Sequence, residues 1–254
     1  MTLSVINLKK TYLDGGRLQP VFSNLSFTLE TGSFVSVIGP SGSGKSTLCN
    51  LIAGIEKPDE GTILLDGKDI TGRPGNVGYM FQKDLLLPWR TLEENVILGC
   101  EIQGLKKRTA LAEAKKGLKL FELEDFAHYY PSQLSGGMRQ RGALLRTILF
   151  GRSTLLLDEP FGALDALTRT NMQAWLLTIW NKMQNTVLFI THDIEEALLL
   201  SDYILVLSKP PAEIVATITV PFPRPRENEL RFSPQMLALK KQLHQYLHQD
   251  KSHQ

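Results

Sequence analysis

The sequence predicts an α/β protein with a mainly parallel sheet covered by helices on both faces. Three observations carry this. Short continuous apolar runs bounded by turn residues recur along the chain, among them FVSVIG, TLLLD at 154–158 and TVLFI at 186–190; such runs are buried strands. Segments of helical spacing lie between them, as where Leu111, Ala114, Leu118 and Phe121 form one apolar face. Strand and helix then alternate, which is the pattern of a parallel sheet built from crossover units.

In order, Leu3, Val5 and Asn7 alternate with Ser4, Ile6 and Leu8 in a strand-like opening, and 21–31 and 33–38 predict two more strands. A helix starts in GKST and runs to about Ala53, with Gly54 ending it. TILLD (62–66) and VGYMF (77–81) read as strands. TLEENVILGC opens a helix, with a Thr cap and with Glu93 and Glu94 in its first turn. A helix containing LSGG follows Pro131 and reaches Phe150. Beyond the strand at 154–158, residues 167–184 are helical, then come strand 186–190, helix 193–200 and strand 202–208. KPPAEIVATITVPFPRPREN is Pro-rich and ends the compact pattern, and 234–249 forms a polar amphipathic helix. There are no internal repeats.

The 254 residues suffice for one large core or two small domains. With 43% hydrophobic and 21% charged residues, the composition is that of a soluble globular chain and excludes a disordered one. Lys and Arg number 28 against 26 Asp and Glu, a balance that gives no argument for nucleic acid or an anionic membrane. Cys49 and Cys100 form no CxxC pattern, which fits a reduced, intracellular protein. MTLSVINLKKTY lacks the apolar region of a signal peptide. The greasiest stretch, ALLLSDYILVL, is about half the length needed to span a bilayer and is interrupted by Asp202. Any membrane link therefore runs through a partner.

The chemistry begins at Gly39-Pro40-Ser41-Gly42-Ser43-Gly44-Lys45-Ser46-Thr47, a G-x-x-x-x-G-K-[ST] loop between a strand and a helix. Its glycines let successive N–H groups turn toward an anion, and the helix start aims its positive end at the same point. Lys45 is expected on the β- and γ-phosphates and the Ser46 hydroxyl on Mg²⁺. STLLLDEP supplies the acidic strand end: Asp158 for Mg²⁺, and Glu159 to polarise the attacking water. Gln82 ends VGYMFQ and His192 ends VLFITH, at strand ends where open α/β sheets bind ligands. Gln82 fits a contact to Mg²⁺ or the water, and His192 a donor to the γ-phosphate. Each also fits a capping or packing role, and His192-Asp193 also fits a helix start.

LSGGMRQR at 134–141 raises a separate question. Two glycines in the first turn of an ordinary helix cost about 1 kcal/mol each relative to alanine. A ligand close to the backbone would justify them, yet the loop at 39–47 already cradles one anion.

The order of these motifs, with ALD at 163–165, resembles the ATP-binding cassette (ABC) family over residues 1 to about 210, and LSGGMRQR shortly before LLLDEP is highly specific to it. The resemblance implies a three-layer P-loop NTPase core with a mainly parallel sheet, an N-terminal antiparallel β subdomain and an inserted α-helical subdomain at about 88–150. The ATP-binding domain would cover 1–215, with a Pro-rich extension and helix over 216–254. It implies an ATPase using ATP and Mg²⁺. Tyr12, following the opening strand, would stack on adenine. Ser135, Gly136 and Gly137 would bind ATP held by the opposite cassette, and Asp165 would cross between the two. Gln82, Lys45, Glu159 and His192 would be the catalytic set.

FQKDLLLPWRTLEENV, DEPFGALDALTR and the PFPRPR tail look like the ATPase subunits of bacterial importers of nitrate, sulfonates, taurine and thiamine precursors. That implies a second cassette, expected as a homodimer, and a separate membrane permease docking near the exposed-looking run Leu85, Leu86, Leu87, Pro88 and Trp89. It also implies an extracytoplasmic substrate-binding protein, no nucleic acid, and a peripheral position at the cytoplasmic face of the cell membrane. Two departures stand out: RGALLRTIL after the signature, read as a packing matter, and SKPPAE at 208–213, which lacks the usual Gly turn. No long regulatory domain is expected. A soluble ABC protein acting on DNA or ribosomes would usually carry two cassettes or a coiled-coil insertion; a P-loop kinase has no use for LSGGMRQR; exporter cassettes are often fused to membrane spans, though separate ones exist. His244, His248 and His253 read as a solvated helix end, and no metal is assigned to them.

Overall fold

The computed structural model describes residues 2–248 apart from Ala163, Pro225 and Glu227; for Asn228, Glu229 and His248 the backbone alone is described. The chain opens with a long antiparallel hairpin, β1 (Leu3–Asp14) and β2 (Arg17–Leu29). After β3 (Phe34–Ile38) and helix α1 (Lys45–Ile52), strands β4 (Glu60–Leu65) and β5 (Lys68–Asp69) complete a four-stranded antiparallel sheet in the order β2-β1-β4-β5. Leu3, Val5 and Leu8 bury one face of it. The opening strand is longer than its alternation suggests, because register shifts after Val5 and Leu8 break the period of two. Tyr12 therefore lies within β1, paired with Gln19, and not after it.

The chain then adds β6 (Gly78–Met80), and after a helical insertion β7 (Thr154–Asp158), helix α6 (Ala166–Met183), β8 (Thr186–Ile190), α7 (Ile194–Leu200), β9 (Tyr203–Leu207) and β10 (Ile214–Thr219). With β3 these form a second sheet in the order β10-β9-β3-β8-β7-β6. Its strands are parallel except β10, an antiparallel edge. All of β3, β7 and β8 is buried, as their uninterrupted apolar runs require. With helices on both faces, this is the three-layer P-loop core.

Between β6 and β7 stand α2 (Leu92–Val96), α3 (Leu98–Ile102), α4 (Lys107–Leu120) and α5 (Gly136–Leu149). Thr91 and Glu94 form a reciprocal capping box at α2, and the helix expected from TLEENVILGC is split into α2 and α3 at Ile97. Ala114, Leu118 and Phe121 enter the core shared by these helices and the sheet. The unusual RGALLRTIL is explained by packing. Gly142 faces α2 so closely that an added Cβ would sit 2.6 Å from Leu92 Cδ1, and Ala143, Leu144 and Leu145 are buried beside it.

The compact fold does not end at residue 208. SKPPAE closes without a glycine, through Ser208 N–H to Glu213 O (3.0 Å) and Glu213 N–H to Ser208 Oγ (3.0 Å), and β10 runs across the expected division at 215. The last helix, α8 (Pro234–His248), buries Met236 and Leu243 against Ile194, Ala197 and Leu198, together with Val220 and Phe222. The apolar side of this amphipathic helix is what packs onto the fold.

Candidate nucleotide site

The loop from 39 to 47 joins the end of β3 to α1, and Gly44 caps the helix at φ 87°. Lys45 is buried, and its Nζ donates to Gly39 O and Pro40 O, each at 2.9 Å, with Ser43 Oγ at 3.4 Å. Burial lowers the Lys45 pKa, opposed by the carboxylates of Glu159 and Asp158. Ser41, Gly42, Gly44, Lys45, Ser46 and Thr47 line a cleft of about 660 Å³. Gly39 and Pro40 turn to the other side of the loop, and Ser43 is buried beneath it.

Tyr12, Val21, Gln82, Glu159 and His192 close the same cleft, so five separate segments meet around the loop. Tyr12 donates its hydroxyl to Glu56 Oε2, which fixes the ring beside Thr47. Glu159 follows β7 with φ 44°, a left-handed conformation that non-glycine residues adopt at a cost. Its N–H donates to Ile190 O at 2.9 Å, which holds the bend. Gln82 Nε2 donates to Glu159 Oε2 at 3.1 Å, and His192 Nδ1 stands 3.4 Å from Glu159 Oε1. Three residues singled out separately in the sequence thus meet at one carboxylate.

Asp158 is 3% exposed, and its Oδ1 is buried without a hydrogen-bond partner among the described residues. Burial raises its pKa, tempered by the Ser46 hydroxyl. An anionic oxygen so placed lacks the compensation that buried charges require, and a cation would supply it. Among the described residues no group of three or more His, Cys, Asp and Glu could hold a metal by itself. A divalent ion here would need phosphate oxygens as further ligands, the usual situation for Mg²⁺. Of the three C-terminal histidines, His248 is described only in its backbone and His253 lies outside the described residues.

The signature segment is elsewhere. Ser135 caps α5, its Oγ accepting from Met138 N–H at 3.3 Å, and Asp165 caps α6, its Oδ1 accepting from Thr168 N–H at 3.0 Å. The Thr168 contacts lower the Asp165 pKa. Ser135 and Gly137 line a recess of about 460 Å³ with Arg141, Thr168 and Asn171, which shares no residue with the cleft at Lys45. Gly136 stands beside them at the first position of α5.

The run after Gln82 is not uniformly exposed. Leu85 and Trp89 are open at 49% and 71%, but Leu86 is buried in the helical subdomain. The segment is braced by Arg146, whose guanidinium donates to Leu85 O (2.7 Å) and Asp84 O (2.6 Å), and by Arg139, paired with Asp84 at 3.2 Å. Arg146 also borders an apolar recess of about 280 Å³ lined by Ile55, Phe81, Ile102 and Phe150. Ile55 and Ile102 escaped the sequence reading; their only signal is an exposed apolar residue, just past the end of α1 and at the end of α3.

The fold and this cleft define a P-loop nucleotide-binding ATPase. The ABC transporter family model matches residues 22–162, and the chain belongs to that family. The aliphatic sulfonates import ATP-binding protein SsuB of Bacillus cereus is 42% identical over 231 residues, covering 90% of this chain and 91% of that protein. The formylaminopyrimidine import ATP-binding protein ThiZ of Halalkalibacterium halodurans is 45% identical over 226 residues, 88% of each. Among solved structures, a dimeric post-hydrolysis state of an ATP-binding cassette bound to ADP and Pi superposes with a TM-score of 0.77 at 32% identity, covering 87% of this chain and 99% of that one.

Proposed function

We propose that this chain is the ATP-hydrolysing subunit of an importer, working as a cassette dimer that drives uptake of a small solute of the sulfonate, taurine, nitrate or thiamine-precursor type through a separate permease. The supporting observation is the separation of two half-sites: Lys45, Ser46, Gln82, Glu159 and His192 around one cleft, Ser135 and Gly137 around another. Within one chain the signature has nothing to complete. Across a two-fold axis it faces the partner's nucleotide, and each active site is shared.

In this reading Tyr12 stacks on adenine, the loop N–H groups and Lys45 bind the phosphates, and Ser46, Asp158 and Gln82 hold Mg²⁺, whose charge offsets that of the phosphates. The unpartnered Asp158 oxygen fits that ion. Glu159 takes the proton of the attacking water, and Gln82 and His192 aim its two oxygens. His192 also donates to the γ-phosphate. Ser135, Gly136 and Gly137 bind the partner's ATP and Asp165 crosses the interface. ATP binding closes the dimer, and hydrolysis reopens it.

The permease has a natural seat in the apolar recess at Ile55, Phe81, Ile102 and Phe150, beside Leu85 and Trp89. No described helix is long and apolar enough to cross a membrane; the chain sits at the cytoplasmic face through that partner, and a substrate-binding protein outside delivers the solute.

The test is Glu159→Gln. With ATP and Mg²⁺ its mass by light scattering doubles while phosphate release falls by about 10²–10⁴-fold. A monomer at high protein concentration and low salt would count against the shared site.

A further inference from the structure

The segment after β10 does more than cover the core. It grips α7 at both ends, and α7 begins two residues after His192. A helix of seven residues leaves most of its terminal N–H and C=O groups without internal partners.

At the C-terminal end, Arg226 Nη1 donates to Leu198 O (3.0 Å), Leu199 O (3.0 Å) and Ser201 O (2.7 Å), and its Nε to Phe222 O (3.0 Å). Arg224 donates to Leu200 O, pairs with Asp202 at 3.0 Å and lies 4.1 Å over the Trp180 ring of α6. Cations on the last carbonyls of a helix match its dipole. At the N-terminal end, Glu195 receives Arg231 at 3.3 Å and Lys240 at 2.5 Å.

Arg231 also donates to Gln173 Oε1 of α6 at 2.9 Å. Gln173 Nε2 donates to the buried Glu196 at 3.1 Å, and Glu196 accepts from Thr191 Oγ1 at 2.6 Å. Thr191 immediately precedes His192. An unbroken chain of polar contacts therefore runs from the C-terminal segment to the backbone that carries the histidine, through groups shielded from water, where such networks are stiffest.

We propose that the C-terminal segment is a positioning device for His192, with Arg231 the residue through which it acts, so that the tail sets the rate of ATP turnover without touching the nucleotide. The proposal rests on the reading of His192 as a γ-phosphate contact. It differs from a covering role in what it predicts: a cover would change stability alone, whereas a positioning residue changes kcat with little change in KM.

The experiment compares Arg231→Ala, Arg231→Lys, His192→Ala and the double variant in the full-length chain, by release of labelled phosphate and by thermal melting. Arg226→Ala is avoided as the main probe, because four carbonyls would lose their donor at once. Arg231→Ala should lower kcat about three- to tenfold with KM within about twofold, and Arg231→Lys, which keeps a cation able to donate to Gln173 Oε1, should recover most of it. In the His192→Ala background Arg231→Ala should change kcat by less than about twofold, since nothing remains to be positioned. A wild-type kcat in Arg231→Ala with a lowered melting temperature overturns the proposal, as does an undiminished loss in the His192→Ala background. If His192→Ala itself keeps the wild-type kcat, the γ-phosphate reading falls and the proposal with it; if His192→Ala is impaired and Arg231→Ala is not, the positioning role alone falls.

Discussion

The cleft at Lys45 and the recess at Ser135 are built on opposite principles. At the first, polar side chains are committed to one another: buried Lys45 to loop carbonyls, half-buried Glu159 to the exposed Gln82 and His192. At the second, Ser135 and Asp165 are exposed and cap only their own helices. Both are helix starts, yet one lies in a cleft closed by five further segments, whereas the other faces outward with only its own cap. Pre-organisation belongs to the cleft proposed to bind nucleotide. In the proposed dimer, the outward-facing half would be finished by association.

Mixing two inactive chains breaks or sharpens this contrast most strongly. Lys45→Ala should reduce turnover by at least about 100-fold, and Gly137→Asp should do likewise by placing a carboxylate at the partner's phosphates. Mixed together they should turn over ATP faster than the sum of the two measured apart, because each mixed dimer contains one intact shared site. No gain on mixing would mean that each chain completes its own site.

Asp158→Asn comes next. Hydrolysis should be lost while the nucleotide-free protein gains about 1 kcal/mol, roughly 2–4 °C in melting temperature. The sign follows from burial, which raises the pKa of Asp158 in the folded chain. Its stabilising contribution is complete below the unfolded carboxylate range and is lost as pH rises through the folded value. The gain should therefore be larger at pH 7 than at pH 4.

Tyr12→Ala should weaken ATP binding about tenfold, within the range of base–aromatic stacking, and Tyr12→Phe should not; equilibrium binding of a fluorescent ATP analogue reads both. Smallest is Gly136→Ala. An added Cβ there would meet Leu164 at an ordinary 3.8 Å, whereas at Gly137 it would fall 3.1 Å from Thr168 Cγ2. Gly136→Ala should melt no lower than the parent, gaining up to about 1 kcal/mol from helix propensity. Any loss of turnover it shows then reports crowding at the proposed shared site.

The local motifs were legible because loop, strand and helix are encoded within a dozen residues. The phosphate loop, Asp158-Glu159, and Gln82 and His192 at their strand ends all fell where their neighbours placed them. What was not legible is what depends on distant partners. Leu86 and Leu85 look alike in an irregular run with no period, and only Arg146 and Asn95, reaching in from other segments, decide which one turns inward. Tyr12 was misplaced relative to its strand because bulges erase alternation. The Pro-rich tail read as the end of the fold because an arginine that donates to carbonyls almost thirty residues away has no local signature.

Gly44 carries a consequence of its own. A Cβ there would fall 2.3 Å from Val21 Cγ1 and 2.8 Å from Phe22 Cζ, both on β2, and Val21 O in turn accepts from Ala212 N–H at 2.7 Å. The glycine thus lies at a close contact between the phosphate loop and the antiparallel sheet. A side chain at 44 would press on the Val21 and Phe22 side chains of β2, the strand paired with the one that carries Tyr12. An inactive allele at this position would report the seating of β2 as well as the left-handed turn of the loop, so Lys45 is the cleaner position for silencing the site.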